Sequence, residues 1–139
     1  MDKKFHKLLI KLSNSHHKIS RSQFADLGLS PGQPKILEAL SELGTCMQKD
    51  LARACDVEPP TITSILPAME ERGLVKREAL AYESGKRALG VSLTDKGRAL
   101  ELEVERVMDE VEKLCFKGFS KEEIDLFLSM LERIYENIG

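Results

Sequence analysis

Few side chains in this sequence carry chemistry that a fold could gather into a site. Pro60, Thr61, Thr63 and Ser64 stand together where a helical pattern begins. Hydroxyls at a helix start can donate to phosphates or base edges, and a threonine methyl can meet a thymine methyl. Their simpler role is to cap and solvate the helix. Lys86 and Arg87 form an adjacent cationic pair just past Ser84-Gly85. Lys49, Arg53 and Arg77 are weaker candidates for phosphate contacts, which position a protein without specifying sequence. His6, His16 and His17 all fall near the N-terminus, and Asp2 with His6 has the i, i+4 spacing that can share a metal ion. Two ligands do not close a site and no later histidine exists, so no metal is expected. Cys46, Cys55 and Cys115 are far apart and form no CxxC pair, which argues against a zinc ribbon or a disulfide scaffold. Each is expected to be a small buried hydrophobe. No nucleophile elbow, phosphate-cradling glycine loop or metal-ligand triad occurs, so neither an enzyme nor a cofactor is expected.

Composition narrows the field further. With 139 residues, 42% hydrophobic and 32% charged, the chain suits one globular core rather than a disordered or two-domain protein. The formal charge of −2 excludes a histone-like cation while allowing a local basic surface. Aromatic residues at 5% and the absence of Trp argue against a surface that stacks bases or sugars. No run approaches the ~20 apolar residues that span a bilayer. The charged, amphipathic start lacks the features of a secretion signal. A reduced, cytoplasmic protein with no membrane partner is expected.

The elements that must position these residues follow from periodicity. Phe5, Leu8, Leu9, Leu12 and Ile19 mark one face of a helix over 3 to about 20. Ser30-Pro31-Gly32-Gln33 predicts a helix start with a capping box, and Gly44 predicts its stop. Thr45-Cys46-Met47 allows only a fragment of strand. Gln48 to about Cys55 predicts a short helix with Leu51 and Ala52 inward. A turn then leads to a helix opened by Pro59-Pro60 and ended by Gly73, with Ile62, Ile65 or Leu66, and Met69 inward. Two short helices at that separation are a helix-turn-helix. After Gly73 the period changes to 2, which predicts strands at 74–78 and 88–93 with a hairpin tip at 79–87. Thr94 caps a long helix, and Ser120 opens a final one with a second capping box. The fold class is therefore mainly α with a small β-hairpin wing. It reads as one domain over 1–139, with a winged helix-turn-helix lobe at about 30–98 between helices at about 3–20 and 99–138. Those outer helices carry broad apolar faces that nothing in the lobe can cover, which predicts a symmetric homodimer.

An ordered set of segments carries a family resemblance. Gln48-Lys49-Asp50-Leu51-Ala52, Val57, Thr61-Ile62-Thr63, Leu66, Glu70, Gly73-Leu74-Val75 and Val91-Ser92-Leu93-Thr94-Asp95-Lys96-Gly97 together resemble MarR-type transcriptional regulators. The resemblance runs from 29 to 100, and the flanking helices agree in length and character. It implies a dimeric, cytoplasmic regulator, usually a repressor of inverted-repeat operators, that releases double-stranded DNA on binding a small effector or on oxidation. It also implies that Lys86 and Arg87 enter the minor groove, whose narrow form concentrates negative potential. Redox-sensing members use an N-terminal cysteine, and none precedes Cys46 here. The remaining route is a small ligand bound between the dimerisation region and the winged helix.

Three departures bear on strength of binding. Gly85 stands where the family places an acidic residue before the wing cations, with Glu83 two residues earlier. No Lys or Arg occurs from Ala54 to Glu71. Pro67 lies inside the second helix, where it cannot donate to Thr63; an interior proline bends a helix axis at a cost of ~3 kcal/mol. Fewer cations displace fewer counterions, so modest and weakly salt-dependent affinity is expected. A cation-free helix also suits the alternative, a winged-helix protein-interaction module with weak or no DNA binding.

Overall fold

The structure, a computed structural model, describes residues 4–81 and 87–139. Helix α1 (Phe5–Asp26) ends where Gly28 takes a left-handed φ of 74°. The amides of Gly28 and Leu29 bond back to the carbonyls of Ala25 and Phe24 at 2.9 and 3.0 Å. The helix thus runs past the expected stop near residue 20 and carries Phe24 into the core. The polar stretch Ser20-Arg21-Ser22-Gln23 masked that continuation. Ser20 is itself buried, and its hydroxyl donates to the His16 carbonyl at 2.9 Å.

Helix α2 (Gln33–Leu43) starts later than the capping box implied. Pro31-Gly32 first close a turn, with the Gln33 amide on the Ser30 carbonyl at 3.1 Å, so Gly32 rather than Ser30 is the N-cap. Only the return half of the box forms: the Ser30 amide donates to Gln33 Oε1 at 3.0 Å. Then follow β1 (Cys46–Met47), α3 (Gln48–Ala54), α4 (Pro59–Glu71), β2 (Val75–Ala81) and β3 (Arg87–Leu93). The sheet order is β1-β3-β2, antiparallel throughout, with Cys46 opposite Val91 and Val75 opposite Leu93. Pairing continues to Ala81 opposite Arg87, so both strands reach further into the expected tip than their side-chain pattern shows. Tyr82–Lys86, the remainder of that tip, and Asp2 lie outside the described residues.

Helices α5 (Asp95–Cys115) and α6 (Lys121–Ile138) complete the chain. Thr94 Oγ1 accepts the Gly97 amide at 3.0 Å, and Ser120 forms a complete capping box with Glu123. Gly97 sits against the α4–β2 junction: a Cβ there would lie 2.0 Å from the Leu74 carbonyl oxygen, so only glycine permits this approach. The core joins Leu37 and Leu40 of α2, Leu51 of α3, Leu66 and Met69 of α4, Val91 of β3 and Val104 of α5. The outer helices behave differently. α6 buries no residue, and Leu126, Leu128, Leu131 and Tyr135 stay exposed. Phe5, Leu8, Leu9 and Leu12 on α1 do the same. Such an unpartnered apolar surface calls for a second copy.

The α2–α5 interface also holds carboxylates. Glu101 is 4% exposed, and burial first, then the neighbouring Glu105 carboxylate, raises its pKa. Glu38 on α2 is raised in the same direction, chiefly by desolvation and then by Glu42 and Glu105. A carboxyl raised in the folded state favours its protonated form there. Its contribution is fully present below the unfolded pKa and is lost as pH rises through the folded one. Stability should therefore fall as pH climbs from the ordinary glutamate range towards neutrality. Glu101→Gln should flatten that fall and raise the urea midpoint at pH 7; an unchanged pH profile would contradict the assignment.

Candidate nucleic-acid interface

The helix-turn-helix is built on a left-handed residue. Asp56 takes φ 56°, and the amides of Asp56 and Val57 cap α3 on the carbonyls of Arg53 and Ala52 at 3.2 and 3.0 Å. An aspartate tolerates that backbone better than most side chains. Leu51 and Ala52 are buried beneath Ile62 and Leu66, which leaves the opposite face of α4 in solvent. Pro60, Thr61, Thr63 and Ser64 all lie on that exposed face. α4 continues through Pro67 as one helix. The Thr63 carbonyl that Pro67 cannot reach belongs to an exposed turn, where water can bond it.

The hydroxyls are not idle. Thr63 Oγ1 lies 3.2 Å from both Gln48 Oε1 and the Pro59 carbonyl, so its single proton serves one at a time. Ser64 Oγ donates to the Thr61 carbonyl at 3.0 Å. To meet a phosphate or a base, each must exchange that bond or use its lone pairs. Gln48 joins this surface through Thr63 although nothing in the sequence marked it. The helix start offers less than expected in backbone donors. Pro59 and Pro60 have no N–H, and the Thr61 amide bonds to the Glu58 carbonyl at 3.0 Å. Backbone amides at this end therefore have little to offer a phosphate, and side chains must do the reading.

The cations fall in three places. Lys49 and Arg53 are exposed one turn apart on α3. Arg77 on β2 pairs with Glu70 of α4, Nε to Oε2 at 2.8 Å, at an angle that makes no hydrogen bond, so its charge is partly offset within the lobe. Arg87 begins β3, and Lys86 lies outside the described residues.

A cleft of about 250 Å³ opens behind this surface, between α1, the α1–α2 turn, α2 and α5. Phe24, Leu29 and Met108 give it apolar lining, and His16, His17, Arg21, Lys35 and the carboxyl of Glu38 add polar groups. Two fixed cations, Arg21 and Lys35, against the single carboxyl of Glu38 suit a small molecule with an anionic group. His16 and His17 belong to this wall, and among the described residues no three His, Cys, Asp or Glu side chains gather as metal ligands.

Residues 29–81 match the model of the MarR family. Across 97% of its length the chain is similar to the transcriptional regulator PA3341, at 29% identity over 98% of that chain and a TM-score of 0.85. It shares its fold with BpsR of Bordetella bronchiseptica, whose DNA binding is regulated by 6-hydroxynicotinic acid. There the identity is 22%, the coverage 97% and 95%, and the TM-score 0.81. It shares it also with a mutant MarR from E. coli complexed with operator DNA, at 18% identity, 93% and 91% coverage and a TM-score of 0.80. No described helix is long and apolar enough to cross a membrane.

The cysteines bear on sensing. Cys46 and Cys55 are buried, and Cys115 is exposed, which corrects the expectation that all would be core hydrophobes: Leu114 and Cys115 end α5 beyond the lobe that covers Val104 and Val111. Burial raises the pKa of both inner thiols, assisted at Cys46 by Asp50 and opposed at Cys55 by Lys35. The Cys55 thiol also donates to the Lys35 carbonyl at 3.6 Å. A brief neutral-pH treatment with iodoacetamide should therefore alkylate Cys115 and leave the other two intact. Equal labelling of Cys55, read by peptide mass, would contradict this.

Proposed function

We propose that this protein is a homodimeric, sequence-specific transcriptional regulator of double-stranded DNA, a repressor in the cytoplasm that a small ligand releases. It acts by binding rather than by catalysis. The lobe at about 30–98 reads DNA, and the outer helices hold two copies together. The observation that carries the reading is the exposed hydroxyl face of α4, packed on α3 and followed by the hairpin. In the bound form Thr61, Thr63 and Ser64 face the major groove beside Pro60, and Lys86 and Arg87 enter the minor groove. Lys49 and Arg53 rest on phosphates, with Arg77 contributing least because Glu70 holds it. The operator complex of E. coli MarR and the ligand response of BpsR support the assignment by similarity. The cleft beside Arg21 and Lys35 is the proposed effector site, for a small aromatic anion.

One observation favours a second reading, a winged helix that binds protein. The α4 start lacks both cations and free amides. A random duplex pool enriched on the purified protein at ~0.1 M salt separates the two, since phosphate contacts are still felt there. A regulator recovers an inverted repeat with half-sites about 10 base pairs apart. On that duplex, replacing Lys86 and Arg87 together by Ala should weaken binding by roughly tenfold to a hundredfold, from lost counterion release and groove contact. Recovery of nothing above background would favour the interaction module.

A further inference from the structure

The end of α4 is held from two sides. On one, Lys96 Nζ donates to the Arg72 carbonyl at 2.9 Å and Thr94 Oγ1 donates to the Gly73 carbonyl at 2.5 Å. The Thr94 amide adds a bond to the Leu74 carbonyl at 3.1 Å, and the Gly97 approach leaves no space between them. The start of α5 is thus joined to the α4–β2 junction by several short contacts that cannot slide. These are the residues of the Thr94-Asp95-Lys96-Gly97 segment, whose place in the fold they explain.

On the other side the hold is slight. Arg72 Nη1 donates to the Gly28 carbonyl at 2.5 Å, across 44 residues of sequence. Gly28 is the left-handed end of α1, so its carbonyl points out of the helix and is open to a side chain. The same turn touches α4 again at Gly32, where an added Cβ would lie 2.7 Å from Ile65 Cδ1. Between those two points the turn runs through Leu29, Ser30 and Pro31, one wall of the cleft. α5 is therefore fixed to the end of α4 by polar contacts, whereas the α1–α2 turn, beside the core that Phe24 and Leu29 share with Leu66 and Met69, adds one half-exposed guanidinium and one glycine-permitted contact.

We propose that Arg72 is a positioning residue: its bond to Gly28 sets the angle of α4 against the α1 arm, and so the separation of the two α4 helices in the dimer. Rupture of that bond removes the polar tie and lets α4 tilt about the α5 junction within the slack of the remaining apolar contacts. The cleft wall at Leu29–Gly32 is the point from which the latch is reached. The inference rests on the dimeric reading above, but its primary test needs no DNA.

The test uses the full chain with Cys115→Ser and a spin label on Ser64→Cys, one label per protomer, and reads the distance between labels. Arg72→Met keeps the aliphatic stem and removes the donors; Arg72→Lys keeps one donor. The parent and Arg72→Lys should give one narrow distance distribution. Arg72→Met should broaden or shift it, with the thermal midpoint within a few degrees of the parent. On the selected duplex Arg72→Met should bind about tenfold more weakly, the effect expected of one lost charged hydrogen bond. An unchanged distribution in Arg72→Met would overturn the proposal, as would equal broadening in both variants or the absence of any distance between protomers. A duplex that binds nothing, with the distances behaving as stated, would sink the DNA-binding reading and leave the latch standing.

Discussion

The chain cannot cover its own apolar surface, and the architecture depends on that constraint. α6 buries nothing, and the N-terminal half of α1 carries Phe5, Leu8, Leu9 and Leu12 into solvent. Each such side chain fully buried is worth about 1.5–3 kcal/mol, so even partial cover by a second copy is a large driving force. A monomer exposing both helices would aggregate or lose them. Pairing across α1 and α6 gives the isolated lobe a symmetric counterpart. Two α4 helices then act at a fixed separation, which is what a repeated site on DNA requires.

Geometry at the other end of the lobe converts that symmetry into a directional device. The α4–β2 junction is fused to α5 through Gly97, Thr94 and Lys96, and latched to α1 through Arg72. The cleft is lined by Leu29–Gly32, the residues that follow the Gly28 end of the latch. The surface of α4 that faces solvent is polar without being cationic, with the Thr63 and Ser64 hydroxyls already engaged within the protein. In the proposed reading, affinity comes from the hairpin and α3 cations, while α4 supplies discrimination. Charge in the lobe is spent elsewhere as well: Arg77 answers Glu70, and the α2–α5 carboxylates repel one another where burial makes that costly.

Much of this was readable in the residues. Glycine and proline punctuation around Gly44, Pro59 and Gly73, with the change from helical to alternating period, located the helix-turn-helix and its hairpin. Local chemistry sufficed there because each boundary is set within a few residues. Thr94 and Ser120 capped as their spacing implied. The misses share a physical cause. α1 outran its apolar stripe because Ser20 satisfies its hydroxyl on its own helix and so can be buried. α2 started late because Pro31-Gly32 made a turn of their own. The Thr63–Gln48 and Arg72–Gly28 bonds join residues 15 and 44 apart, and such pairings have no signature in spacing. The donor-poor start of α4, by contrast, was written in Pro59-Pro60.

Sedimentation equilibrium of the purified chain, alone and then with one equivalent of its selected duplex per two chains, tests the central claim most directly. The account predicts a free species of twice 15.6 kDa that takes up a single duplex as an intact pair. A species that stays at 15.6 kDa, or a pair whose mass is unmoved by the duplex, would contradict it.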